Sequence, residues 1–267
     1  MDNRPIGVFD SGLGGLTVVR QIYRMLPQES IVYLGDTARV PYGSRSPEIV
    51  RKFARQDAYF LAGRNVKYIV IACNTASAQA ETDLVRRLAI PVLGVIQPGA
   101  EAAVAESRTG RIGIIGTLGT VASGAYQRAI AERRPAAEIV AQACPLFVPL
   151  VEEGVQASPA ARLITEDYLQ PFQHAGVDTL ILGCTHYPIL ATVIEETMGP
   201  GVHLVDPGIA LAHVLAADLA QRDLLAAGGH PVQHQYFVTD RSARFQELAE
   251  RFLGRAMCQA VEELDLE

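Results

Sequence analysis

The chain has 267 residues, of which 49% are hydrophobic, and a formal net charge of -6. That length is comfortable for two domains with a sizeable core, and wholesale disorder is excluded. An acidic chain without a run of lysine or arginine offers no surface for nucleic acid or an anionic membrane.

No apolar stretch approaches the roughly 20 residues of a bilayer span, and Met1-Asp-Asn-Arg-Pro5 lacks the apolar core of a signal peptide. The expected location is therefore the cytoplasm, with the four cysteines reduced. In chain order, apolar runs predict strands at Ile6–Asp10, Ile31–Asp36, Tyr68–Cys73, Pro91–Ile96, Arg111–Gly116, Glu138–Cys144, Thr179–Cys184, His203–Asp206 and Gln235–Thr239. Helical patterns lie between them, among them Pro47–Gly63, Ser77–Leu88, Pro159–Ala175 and Ala243–Leu253, and Cys258 falls in a helical C-terminal stretch. Strands rich in Val, Ile and Leu that alternate with helices predict an α/β fold with parallel sheets covered on both faces.

The chain also repeats itself. Ile6-Gly-Val-Phe-Asp-Ser11 resembles Ile112-Gly-Ile-Ile-Gly-Thr117, the strand before Cys73 resembles that before Cys184, and Val95-Ile-Gln-Pro98-Gly99 resembles Leu204-Val-Asp-Pro207-Gly208. The offsets are 106, 111 and 109. Parallel strands resemble one another in general, but three matches in one order at nearly one offset predict two pseudo-symmetric halves. The expected domains are 1–97 with 208–267, and 98–207, with the active site in the cleft between them. The Pro-Gly steps at 98 and 207 are expected to mark the crossovers, since these residues break strand and helix.

Asp10-Ser11-Gly-Leu-Gly-Gly15 follows the first strand. It fits neither a dinucleotide fingerprint nor a phosphate-binding P-loop, so it reads as a tight turn or as a cradle of amides for a carboxylate. Pro41-Tyr42-Gly43-Ser44 follows the second strand and offers amides, a hydroxyl and the Tyr42 donor toward the same edge, unless it is an ordinary turn. Cys73-Asn74-Thr75 and Cys184-Thr185-His186 each place a thiol at a strand's carboxyl end, where open α/β sheets bind ligands. A single such cysteine is more often a buried inert thiol, but a matched pair suggests two thiols facing one small substrate. Thr117 and Thr120 occupy the second half's counterpart loop. Glu152-Glu153 reads as a solvated helix start or as a partner for an ammonium or for His186. Cys144 and Cys258 have no partner motif. Zinc ligand spacing is absent, and neither lysine, Lys52 or Lys67, stands where a Schiff base would form. Neither metal nor cofactor is expected.

These motifs resemble those of the bacterial glutamate racemases, from Ile6 to about Asp240. The resemblance is carried by Phe9-Asp-Ser-Gly-Leu-Gly-Gly15, Pro41-Tyr-Gly43, Ala72-Cys-Asn-Thr75, Phe147-Val-Pro-Leu-Val-Glu-Glu153 and Leu182-Gly-Cys-Thr-His-Tyr-Pro188. The cysteine motifs alone also occur in aspartate and hydantoin racemases. The resemblance implies interconversion of L- and D-glutamate without cofactor, to supply peptidoglycan synthesis, by a homodimer of two-domain subunits. It further implies that Cys73 takes the α-proton from D-glutamate with help from Asp10, and Cys184 from L-glutamate with help from His186. Ser11, Tyr42, Gly43, Asn74, Thr75 and Thr185 would hold the substrate, and Glu152 would partner His186. Members with a longer N-terminal extension respond to a cell-wall precursor; with five residues before Ile6, that response is not expected here.

Three other readings stay open on the residues alone. One is a racemase of aspartate or a hydantoin. Another is a thiol hydrolase or amidotransferase using Cys184 and His186, which leaves the first cysteine unexplained. The last is a non-catalytic two-domain binding protein.

Overall fold

In the computed structural model, which describes residues 1–257 and 259–266, the apolar runs form strands that are all paired in parallel. The first stretch runs β1 (Ile6–Asp10), α1 (Leu16–Met25), β2 (Ile31–Gly35), α2 (Pro47–Gly63), β3 (Tyr68–Ile71), α3 (Asn74–Arg87) and β4 (Val92–Gly94). Helix α4 (Ile96–Glu106) then leads into β5 (Arg111–Gly116), α5 (Leu118–Ser123), α6 (Ala125–Arg133), β6 (Glu138–Ala143), α7 (Phe147–Glu152), α8 (Pro159–Ala175), β7 (Thr179–Gly183), α9 (Ala191–Met198) and β8 (His203–Val205). Helix α10 (Pro207–Gln221) leads back, followed by β9 (His234–Val238), α11 (Phe245–Leu253) and β10 (Val261–Glu263).

One sheet has the order β10-β9-β2-β1-β3-β4, the other β6-β5-β7-β8. Four adjacent strands of the first, β2-β1-β3-β4, follow the order of the whole second sheet. The internal sequence repeat is thus a repeat of topology, and the chain is an α/β fold of two pseudo-symmetric parallel-sheet domains. Ile6, Val8 and Phe9 of β1, Ile69, Val70 and Ile71 of β3, and Ile112, Ile114 and Ile115 of β5 are fully buried, each contributing about 1.5–3 kcal/mol of apolar burial. In each sheet the chain leaves its first strand to one side and later returns on the other, between β1 and β3 and between β5 and β7. These reversals are the switch points at which open α/β sheets bind ligands.

Three expectations need correction. The Pro-Gly steps are not breaks: Pro98 and Gly99 lie in the first turns of α4, and Pro207 opens α10 behind the Asp206 cap. Proline suits a first turn, whose amides have no carbonyl to reach. The two steps also face each other, since a Cβ on Gly99 would stand 3.0 Å from that of Pro207. Next, α3 starts at Asn74 rather than Ser77, so Cys73 is its N-cap. Finally, the C-terminal stretch is not a continued helix; α11 stops at Leu253 before Gly254 in the left-handed conformation, and β10 pairs with β9. Cys258 lies outside the described residues. No described helix is long and apolar enough to cross a membrane.

Candidate active site

The carboxyl ends of β1, β3, β5 and β7 converge on one cavity of about 30 Å³. Ser11, Cys73, Asn74 and Thr75 line it from the first sheet, and Thr117, Cys184, Thr185 and His186 from the second. Pro41, Tyr42 and Gly43 close it from the loop after β2. Both cysteines are nearly buried, at 6% and 7% exposure, so the thiols are largely shielded from solvent.

The two thiols have unlike neighbours. The Cys73 sulfur accepts from the Ala76 amide at 3.5 Å, as the cap of α3, and donates to Ser11 Oγ at 3.5 Å. No helix starts at Cys184. Instead a turn carries its sulfur to 3.9 Å from His186 Nδ1, while His186 Nε2 lies 3.0 Å from Glu152 Oε1. Glu153 faces away and pairs with Arg244 at 2.9 Å, so Glu152 is the partner of His186. Asp10 is fully buried, and its Oδ2 accepts from the Gly12 amide at 3.0 Å.

Thr75 bridges the halves, its hydroxyl 2.8 Å from that of Thr117 and 3.2 Å from that of Thr120. Gly43 has a steric reason to be glycine: a Cβ there would stand 2.7 Å from Thr117 Cβ. Three expected binding residues sit differently from their reading. The Tyr42 hydroxyl does not face the cleft, because it is bonded to the buried Asp36 and Asp57. Ser44 is exposed and lies in an outer, largely apolar vestibule of about 220 Å³ with Leu118, Pro145 and Pro149. Thr120 is buried behind Thr75 and Thr117, supporting them rather than lining the cavity. Among the described residues no group of three or more His, Cys, Asp or Glu forms a metal site.

The profile of the Asp/Glu/hydantoin racemases matches residues 6–215. The chain belongs to this racemase family. It is 51% identical to a glutamate racemase of Geobacter metallireducens over 94% of this chain and 93% of that one. Its fold superposes on a Bacillus anthracis glutamate racemase with a TM-score of 0.95 at 39% identity, covering 100% and 99% of the two chains. For a Francisella tularensis glutamate racemase solved with D-glutamate, the TM-score is 0.93 at 40% identity, again over 100% and 99%.

In this family member the electrostatics separate the two thiols further. Burial, followed by the negative charge of Asp10, pushes the Cys73 thiol up to about 12, against the opposing pull of Ser11 and the Ala76 amide. The helix N-terminus, which by itself favours a thiolate, is outweighed. Burial works against a charge on His186, but its bonds to Cys184 and Glu152 prevail and hold the imidazolium up to about 10. Burial also raises the Asp10 carboxyl, moderated by His186 and by the Gly15 and Gly12 amides. The cavity therefore pairs a thiol that keeps its proton with one facing a cation.

Several contributors escaped the reading of the sequence. Val40 and Val148 complete the cavity wall. Tyr126 donates to Asn74 Oδ1 at 2.6 Å, fixing the residue after Cys73. From α11, Phe252 packs edge-on to His186 with centroids 5.0 Å apart, and Arg251 donates to the Val151 carbonyl at 2.7 Å. Val148 lies within the quoted Phe147–Glu153 motif and was open to notice. Tyr126 and α11 touch the site only through tertiary contacts, and no local signal marks them.

Proposed function

We propose that this chain interconverts L- and D-glutamate by proton transfer between two thiols, without a cofactor, in the cytoplasm and in the service of peptidoglycan synthesis. The observation that carries this is a pair of cysteines from two repeated sheets on the walls of one small cavity. Inverting a carbon centre requires taking a proton from one face and returning one to the other, and thiols flanking the α-carbon do both. Cys184, beside the His186 imidazolium, takes the α-proton of L-glutamate, and Cys73 delivers its own to the opposite face. The next turnover from D-glutamate runs the roles in reverse, as general acid–base catalysis requires.

The carbanion is the demanding species. Donors around the α-carboxylate in a closed site stabilise it more than water would. The Ser11, Asn74, Thr75, Thr117 and Thr185 side chains and the Gly43 backbone are the groups placed to hold the two carboxylates and the ammonium. Asp10 acts beside Cys73, and Glu152 steadies His186. The domains follow the sheets, 1–97 with 208–267 and 98–207, and the working unit is a homodimer, to be checked by light scattering. A hydrolase built on Cys184 and His186 would leave Cys73 and its cavity position without a role.

Incubating the protein with L-glutamate in deuterated water tests the reading. Optical rotation is expected to decay to zero, and early product to carry deuterium at the α-carbon while remaining substrate stays protiated. No change in rotation, or deuterium entering substrate as fast as product, would defeat the two-thiol mechanism.

A further inference from the structure

Behind the loop that closes the cavity lies a buried cluster with two carboxyl groups and one cation. Asp36, at the end of β2, and Asp57, inside α2, are both fully buried. Arg39 donates from Nε to Asp36 Oδ2 at 2.6 Å, from Nη2 to Asp57 Oδ1 at 3.2 Å and from Nη1 to Gln56 Oε1 at 2.7 Å. The Tyr42 hydroxyl meets both carboxyls, Asp36 Oδ2 and, at 3.0 Å, Asp57 Oδ2. The other charged groups that bear on Asp57 are Asp36 and, from β1, Asp10, both negative.

Tyr42 has a single hydroxyl proton and cannot donate to both acids. Asp36 is committed as an acceptor at each oxygen: Oδ2 takes Arg39, and Oδ1 takes the Thr239 hydroxyl at 2.9 Å, whose oxygen already accepts from the Ala38 amide. Among the described residues Asp57 Oδ2 meets only Tyr42. Two buried anions on one cation would leave an uncompensated charge, which is costly. The arrangement closes if Tyr42 donates to Asp36 and Asp57 carries the proton that Tyr42 accepts. We propose that Asp57 is a positioning residue, a neutral carboxylic acid at working pH whose hydrogen bond to Tyr42 fixes the 36–44 loop against the substrate cavity. Burial, and next the Asp36 charge, hold the Asp57 carboxyl well above its ordinary range, which agrees.

The inference rests on the racemase reading for its kinetic test only; its infrared test needs no turnover. Asp57→Asn keeps a donor for Tyr42 and an acceptor for Arg39, so the KM for glutamate should stay within about threefold of the parent. Asp57→Leu keeps the bulk but strands Tyr42 and Arg39, and KM should rise by about tenfold or more. An Asp57 that served as an ionised partner of Arg39 would predict equal loss in both variants, and that result would overturn the proposal, as would a folded Asp57→Leu protein with parental KM. The infrared difference between parent and Asp57→Asn at neutral pH should contain a carboxylic-acid C=O band that shifts in deuterated water. Carboxylate bands in its place would refute a neutral Asp57 even if Asp57→Leu fails to fold.

Discussion

At the scale of single residues, the proposed reaction assigns the chemistry to the two cysteines and its direction to their neighbours. Replacing Cys73 or Cys184 by alanine removes a proton donor or acceptor that no neighbour can replace. Turnover is expected to fall by about 10²–10⁴-fold in each variant, whereas Cys144→Ala, whose sulfur donates only to the Gln142 carbonyl at 3.7 Å, should retain it. A racemisation assay of the three variants distinguishes these outcomes. The titrating groups also predict how stability varies with pH. His186 binds its proton up to about 10 in the folded chain against an ordinary 6.5. The folded state therefore holds more protons than the unfolded one, and its contribution is complete below 6.5 and lost as pH rises toward 10. Cys73, held up to about 12 against an ordinary 9.0, extends the same fall above pH 9. Urea midpoints measured across that range should decline, and Cys73→Ala should flatten only the upper part.

At the scale of elements, the two halves are tied together at the site by α11. This helix follows β9 of the first sheet, yet Arg251 donates to the Val151 carbonyl at 2.7 Å and Arg244 to the Glu152 carbonyl at 3.0 Å, both at the end of α7 in the second half. Helix C-termini carry unpaired carbonyls and partial negative charge, so guanidinium groups are well placed there. The clamp sets where Glu152 stands, and Glu152 sets His186. Arg251→Ala should lower turnover about tenfold, the equivalent of roughly 1.4 kcal/mol. The alkaline limb of the activity profile should also move to lower pH, because a looser Glu152 supports the imidazolium less. Reduced turnover with an unmoved alkaline limb would place Arg251 in general stability instead.

At the scale of the whole molecule, both thiols lie nearly buried where the two halves meet. Substrate entry is expected to part the halves where Gly43 abuts Thr117, while α4 and α10, packed through Gly99 and Pro207, keep them joined. Closing over substrate would then expel water from the thiols. Amide hydrogen exchange is expected to slow at 37–46 and 116–124 when D-glutamate is added, with β1 and β3 unaffected. Equal exchange in both loops with and without D-glutamate would mean that entry needs no such opening.

The sequence by itself determined every described strand but β10, their parallel pairing and the repeat, because buried parallel strands are written locally as apolar runs and a duplicated topology repeats them at a near-constant offset. It also marked the strand ends that carry Cys73 and Cys184, since a polar or reactive residue after such a run must emerge at the sheet's edge. The chain does cross between the sheets at the Pro-Gly steps, but local reading erred in taking them as breaks, because a proline that ends one helix is equally at home in the first turn of another, and only the chain's path decides between them. It could not choose between Glu152 and Glu153, adjacent residues of one type, until the turn of α7 aimed one at His186 and left the other to Arg244. It turned Tyr42 toward the cleft, whereas two acids from distant segments, Asp36 and Asp57, draw its hydroxyl inward. The same holds for the pairing of Cys184 with a cation and Cys73 with an anion. Burial and charge act through space, and the distances that fix them exist only once the two sheets have come together.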